Sequence, residues 1–340
     1  MNISRKVLPA SKVHSLTWCR DTLVDWVGGI QVFHLDGRYD KSRLFWGFDF
    51  DAAIATPNGR FAVIYKRLGT KALVLRDGKI LRELNRSYYF AGDYEYPICI
   101  WNSMAGQTLI AHCPDDYCRI DIEDAETGER LTGGNRKPED FFHSRLKVNS
   151  DGTRLLSAGW MWHPFDSVVY FDLAEALRNP AHLDGLQNFP QNPGDAYMAE
   201  AGTACWQSQA QILLGGVARQ AFPESSGGMK DQDQFLRVNG LAIYDVTAKT
   251  YLKSFALEEP PGMIMPIAGT HAICFYRHPR LVALNTREVV HTWDDLETGN
   301  EIGSISSDAK APPIALDPSN NRFAVSAAEG IHVIQVETDN

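Results

Sequence analysis

Ser144–Leu177, SRLKVNSDGTRLLSAGWMWHPFDSVVYFDLAEAL, decides the fold of this chain. Arg145-Leu146-Lys147-Val148 alternates polar and apolar side chains, the period of a half-buried strand. Asp151-Gly152 follows as a tight turn, because Gly tolerates positive φ and Asp can bond its own backbone. Arg154 to Ala158 is a second apolar run, and Trp160-Met161-Trp162-His163-Pro164 a bulkier loop. Ser167 to Phe171 is a third run, rich in Val and aromatic residues as strands are. Asp172 is placed to N-cap a short helix, Leu173 to Leu177, that Pro180 stops. The unit reads strand, turn, strand, loop, strand. Strands this short cannot bury a face alone, so copies of the unit are expected beside it.

Six other units fit the pattern. The second is the most regular: Ala52 to Thr56, the turn Pro57-Asn58-Gly59, Arg60 to Lys66, Lys71 to Leu75, the turn Asp77-Gly78, and Ile80 to Leu84. Four strands joined by tight turns form a meander, the blade of a propeller. The first unit offers His14 to Trp18, Thr22 to Val27, Gly29 to Leu35 and, as a fourth strand, Leu44 to Phe50. In the third, Ile98 to Trp101, Thr108 to Ala111 and Cys118 to Ile122 precede a turn at Asp124 to Gly128. The fifth carries a long insertion, roughly Ala218 to Asn239. Turns between first and second strands fall near residues 21, 58, 105, 151, 209, 269 and 320. Their spacings, about 37 to 60, bracket the roughly 40 to 50 residues of a blade. The seventh unit ends one strand short, and Ser4 to Pro9 is a strand without a neighbour in sequence. The expected fold is therefore all-β: a single seven-bladed β-propeller closed by the N-terminal strand. Six or eight blades are the alternatives, because spacing around the fifth unit is long. The blades are placed near 11–50, 51–87, 97–132, 143–190, 202–257, 262–293, and 312–338 plus 4–9.

Asn149-Ser150-Asp151-Gly152, Pro57-Asn58-Gly59 and the Asp124-to-Gly128 turn give nearly the whole chain a repeat pattern that resembles the WD40-like and YVTN-like β-propeller superfamily. A WD40 blade ends in Trp-Asp and opens with Gly-His. Here Trp293-Asp294 alone looks similar, and no Gly-His occurs. The resemblance implies the fold and transfers no functional residue.

Composition narrows the function. No stretch approaches the roughly 18 apolar residues of a membrane helix. Met1 to Ala10 has basic residues but no apolar core, so no signal peptide is expected. The cysteines Cys19, Cys99, Cys113, Cys118, Cys205 and Cys274 are irregularly spaced, as buried thiols of a reducing, cytoplasmic compartment would be. The net charge of −9 argues against direct nucleic-acid binding.

Motifs for chemistry are sparse. His112, Cys113 and Cys118 could supply three zinc ligands, but a fourth ligand and a CxxC pair are missing. Asp121, Glu123, Asp124 and Glu126 lack the EF-hand spacing. No Gly-x-Ser-x-Gly elbow, P-loop or HExxH occurs. Lactonase-type propellers resemble this fold and hold a metal in the central channel with inward Glu, Asn and Asp. The first strands here are apolar: Leu16-Thr17-Trp18, Ile54-Ala55-Thr56, Ile98-Cys99-Ile100, Leu146-Lys147-Val148, Ala204-Cys205-Trp206, Ile264-Met265-Pro266 and Ile314-Ala315-Leu316. Lys147 is the main exception. No catalytic residue, metal or cofactor is expected.

The elaborations carry the functional signal. First-to-second and third-to-fourth connections lie on one face of a propeller, the others on the opposite face. The second set holds the long segments 88–97, 112–118, 133–143, 160–165, 185–200, 217–238 and 294–310. They contain sixteen Asp or Glu against six Lys or Arg, so one acidic, built-up face is expected. It also carries Tyr88, Tyr89, Phe90, Tyr94, Tyr96, Trp160 and Trp162. These either pack loops against blades or form a binding anchor, since Tyr and Trp dominate hot spots. With His163, Asp294 and Asp295 they make the candidate partner site. The sequence thus reads as a non-catalytic, monomeric protein-binding propeller for a basic partner, such as the immunity protein of a bacterial toxin. The alternatives are a general assembly scaffold and a metal-dependent hydrolase or lyase using the channel.

Overall fold

The structure, a computed structural model, describes residues 1–42, 44–162, 164–190, 199–218, 235–305 and 311–338. Seven small antiparallel sheets follow one another along the chain as the blades of a ring. Blade 1 is Thr17–Cys19, Thr22–Asp25, Gln31–His34 and Tyr39–Lys41. Blade 2 is Ala52–Ala55, Phe61–Tyr65, Lys71–Arg76 and Lys79–Asn85. Blade 3 has three strands, Ile98–Asn102, Thr108–His112 and Asp121–Asp124. Blade 4 has three among the described residues, Lys147–Val148, Arg154–Met161 and Phe165–Asp172. Blade 5 is Glu200–Trp206, Gln211–Val217, Gly240–Asp245 and Thr250–Ala256. Blade 6 is Ile264–Ile267, His271–Cys274, Arg280–Ala283 and Glu288–Thr292. Blade 7 is Ile314–Asp317, Arg322–Ala327 and Gly330–Glu337, completed by Asn2–Leu8.

That last pairing closes the ring. Asn2–Leu8 runs antiparallel to Gly330–Glu337, from Asn2 opposite Glu337 to Leu8 opposite Ile331. Ser4–Pro9 is thus the closing strand, shifted toward the N-terminus. Closure matters because an unpaired Gly330–Glu337 would leave a bare edge.

Alternate side chains of each strand face the two neighbouring blades, and a cluster of buried apolar residues fills each of the seven contacts. Between blades 3 and 4 the cluster includes Leu109, Ile122, Leu155 and Phe171. Between blades 7 and 1 it includes Leu8, Trp18, Phe33 and Val333. None of the six cysteines forms a disulfide; five are buried and Cys118 is half-buried.

The outer strands depart most from the sequence reading. Leu44–Phe50 is not a strand. The turn at Asp36-Gly37, with Gly37 at φ +94°, leads at once into Tyr39–Lys41, which takes the edge position opposite Val32 and Phe33. Leu44–Phe50 instead runs on toward blade 2, burying Trp46 and Phe50 and leaving Phe45 exposed. In blade 3 the third strand starts at Asp121 rather than Cys118. Beyond the Asp124-to-Gly128 turn a single bridge, Glu123 to Arg130, stands in place of an outer strand. In blade 4 the helix Leu173–Arg178 follows the third strand, and the edge of that strand is met by Asn188, whose carbonyl accepts from the Tyr170 amide at 3.0 Å. Asp172 caps the helix by accepting from the Glu175 amide at 2.9 Å, and Leu173, Ala176 and Leu183 are buried against blades 3 and 4.

Candidate functional site

The face that carries the second-to-third and blade-to-blade connections, here the lower face, is built around one arginine. Arg86, just past the outer strand of blade 2, is buried. Its guanidinium donates to the carbonyls of Gly69 at 2.7 Å, Ala91 at 2.7 Å, Tyr94 at 2.9 Å and Glu95 at 3.4 Å. It also lies over the rings of Tyr94 at 4.5 Å and Tyr96 at 5.1 Å. The fork satisfies carbonyls that a short irregular loop cannot pair with itself, so residues 88–96 hold one shape.

That shape divides the predicted aromatics into a base and a surface. Tyr94, Tyr96 and Trp160 are buried, and burial pushes the phenols of Tyr94 and Tyr96 up. Tyr88 is 88% exposed, Trp162 42%, and Tyr89 and Phe90 nearly as much as Trp162. Phe142 joins the two groups. Its backbone bridges Trp160, and its ring stacks on the Trp160 indole at 3.7 Å and on Tyr117 at 4.1 Å. Trp162 stands edge-on to Phe90 at 5.2 Å, Phe142 at 5.5 Å and Trp160 at 5.6 Å. Tyr89 meets Tyr117 at 5.1 Å. Tyr89, Phe90, Tyr94, Trp160 and Trp162 are therefore one network. Tyr96 belongs to the contact between blades 2 and 3, and Tyr88 has no ring neighbour among the described residues. His163 lies outside the described residues, as do 219–234 of the fifth-blade insertion.

Sequence reading did not single out Phe142, Tyr117 and Arg86. Phe142 and Tyr117 sit in long connections of this face, the signal that found the others. Arg86 ends a strand and carries no local mark.

Many acids of this face have internal partners. Glu301 pairs with Arg67 at 2.7 Å, Asp115 with Arg130 at 2.6 Å, and Asp295 with Arg5 at 2.6 Å. Asp140 accepts from the Tyr117 hydroxyl at 2.8 Å. Asp93, Asp116, Glu139 and Asp294 are exposed and make no ion pair among the described residues. Asp93 and Asp116 directly adjoin Tyr94 and Tyr117 in sequence, so free carboxylates rim the aromatic network. Asp294 and Asp295 follow blade 6, where Asp295 pairs with Arg5, and neither has a described contact with the aromatic network.

The segment Thr298–Ile305 crosses this face from the junction of blades 6 and 7. The Arg277 amide donates to the Gly299 carbonyl, and Glu301 reaches Arg67 in the second-to-third loop of blade 2. Gly303 accepts from Arg145 at the start of blade 4, and Ile305 bridges Tyr94. The Ser304 amide and hydroxyl both donate to Asp166. Burial pushes the Asp166 carboxyl up, against Arg145 and the Ser304 bonds. The strap so placed crosses the lower mouth of the central channel.

The channel is a cavity of about 800 Å³ lined by the seven first strands and by upper-face turns such as Ser150, Gln207-Ser208 and Ser319. Among the described residues the side chains lining it are apolar apart from Thr17, Lys147 and turn residues, and none is a carboxylate. A hard cation takes several oxygen ligands, and this donor set does not fit one. Among the described residues no group of three His, Cys, Asp or Glu could hold a metal. His112 is buried against Glu123, Nε2 to Oε2 3.3 Å, and Cys113 lies in the blade 3–4 core.

No known family profile matches the chain, and no curated protein is similar by sequence. Solved structures are similar in fold. A chain of "Kuenenia stuttgartiensis Hydrazine Synthase" superposes at a TM-score of 0.58 with 14% identity, over 99% of this chain and 98% of that one. A chain of the "Mitotic Checkpoint Complex" superposes at 0.61 with 10% identity, over 98% and 91%. At these identities the likeness establishes the fold alone: this chain is a seven-bladed β-propeller.

Proposed function

We propose that this protein is a cytoplasmic, non-catalytic binding propeller that docks another protein on its lower face. The observation that carries the reading is the aromatic network: three large rings exposed at Tyr89, Phe90 and Trp162, seated on a buried base of Phe142, Tyr94 and Trp160, with Tyr88 exposed next to Tyr89 in sequence. Ordered Tyr and Trp side chains give contact area at little entropic cost, and they dominate binding hot spots. Half of the exposed large apolar side chains among the described residues belong to this face, including Phe45, Phe48, Ile302 and Ile305. A similar fold in a chain of a checkpoint complex is consistent with an assembly role.

The finer proposal is a basic partner, met by an apolar centre and the free carboxylates of Asp93 and Asp116 at its rim. An inhibitor of one basic protein, such as an immunity protein, is the form that best suits a single anchored face; a scaffold would have several partners. The test is capture of partners from the native source by the wild type and by Trp162→Ala with Phe90→Ala. Both side chains are partly exposed, so the fold should survive. Loss of about 2 kcal/mol or more of binding supports the site. Equal binding by the variant rejects it, and retention of no protein overturns the reading as a whole. One tight partner whose association slows steeply with salt, and with Asp93→Lys and Asp116→Lys, supports the inhibitor. Several partners indifferent to salt favour the scaffold. Stoichiometric tightly bound metal in the purified protein would overturn the non-catalytic assignment.

A further inference from the structure

The central channel is a second site that the docking reading leaves unused. It is large enough to hold a small molecule: about 800 Å³, within the 300–1,000 Å³ usual for ligand cavities. One end opens among the upper-face turns, and the strap Thr298–Ile305 crosses the other. In the innermost strand of blade 4, Leu146 and Val148 pack toward blade 3. Strand alternation therefore turns Lys147 the other way, toward the blade 5 side of the channel. There it lies beside Trp206, whose indole N–H donates to the Lys147 carbonyl at 3.0 Å. The Lys147 ammonium has no hydrogen bond or ion pair among the described residues. The cation nearest it in sequence, Arg145, is already engaged with the carbonyls of Ala158 and Gly303.

We infer that the channel binds a small monocarboxylate with an apolar body, its carboxylate on Lys147 and its body along the apolar wall. Lys147 is half-buried in the channel wall, and an ammonium there without a counterion is a charge that an anion entering the channel would neutralise. The one charge calls for a monoanion, because a dianion would leave a second charge uncompensated. Desolvation lowers the pKa of Lys147, with Arg145 adding to the effect against Cys205 and Glu95, as expected of a cation lacking its counterion. The inference does not depend on the lower-face site.

Octanoate, 1-octanol and octylammonium are titrated into the wild type by calorimetry and by tryptophan fluorescence, since Trp206 lines the channel. Octanoate is expected to bind at one site and to quench or shift Trp206. Lys147→Met, which keeps the side-chain length without the charge, should weaken octanoate at least tenfold and leave octanol unchanged or tighter. Equal octanoate binding by wild type and Lys147→Met overturns the assignment, as does no saturable binding by the wild type. Should Lys147→Met fail to fold, the wild type decides alone: octylammonium as tight as octanoate overturns it, and octanoate at least tenfold tighter supports it. Trp162→Ala should bind octanoate normally, which separates this site from the docking face.

Discussion

Replacing Arg86 by Met removes the group that organises the candidate docking face, and its cost can be worked from the contacts. Four carbonyls lose a charged donor, three of them at 2.9 Å or less. Bonds to charged groups contribute about 1.5–3 kcal/mol each, and a buried orphan acceptor costs a similar amount. The stack on Tyr94 and Tyr96 adds about 1–2 kcal/mol. Two effects oppose this. Burial lowers the Arg86 pKa, the sign of a desolvation cost that Met does not bear. The loop can also open and let water reach its carbonyls, which caps the loss. A net destabilisation of about 3 kcal/mol is expected. With a urea slope of about 3 kcal/mol/M, the midpoint should fall by about 1 M. Arg86→Lys should recover little, because one ammonium cannot fork to four carbonyls. The assay is equilibrium urea unfolding followed by tryptophan fluorescence, paired with near-ultraviolet circular dichroism to follow the Trp160–Trp162 cluster. A midpoint shift under 0.3 M for Arg86→Met, or full rescue by Lys, would refute the account of this loop.

Two further outcomes test the neighbourhood. A Cβ on Gly159 would overlap the carbonyl oxygen of Phe142, across the bridge that stacks Phe142 on Trp160. Backbone cannot yield as a flexible side chain does, so Gly159→Ala should cost about 3 kcal/mol in the same assay and dampen the aromatic dichroism. His143 is buried beside Ser157, and desolvation, with a smaller push from Arg136, holds its pKa at about 3. The folded pKa lies below the unfolded one of about 6.5, so the unfolded chain takes the proton first as pH falls. This stability is present above pH 6.5 and is lost on going down toward pH 3, about 2 kcal/mol of it by pH 5. The wild type should lose that much more between pH 7 and pH 5 than His143→Leu; equal losses would show that His143 does not stay neutral.

Short-range chemistry was legible in the chain. Asp151-Gly152, Asn58-Gly59 and the alternation around them specify hairpins through φ, ψ and side-chain period, which neighbouring residues determine. Seven hairpin units with one strand missing at one end and one spare at the other then imply a closed ring. The first strands, read as apolar with Lys147 as exception, do line the channel for the same reason. Outer strands were least legible, because an edge position is marginal. Whether Leu44–Phe50 or Tyr39–Lys41 fills it turns on a three-residue hairpin and on where Trp46 finds its cavity. Tertiary structure alone decided which of the aromatics in Tyr88–Tyr96 and Trp160–Trp162 are surface and which are foundation. Tyr94 and Tyr88 are chemically alike; one is buried because Arg86 draws the loop over it and Phe142 arrives from 48 residues further along the chain. The strap from Thr298 to Ile305 was equally hidden. Its partners Arg67, Arg145 and Asp166 belong to blades across the ring, and only closing the ring brings them within reach.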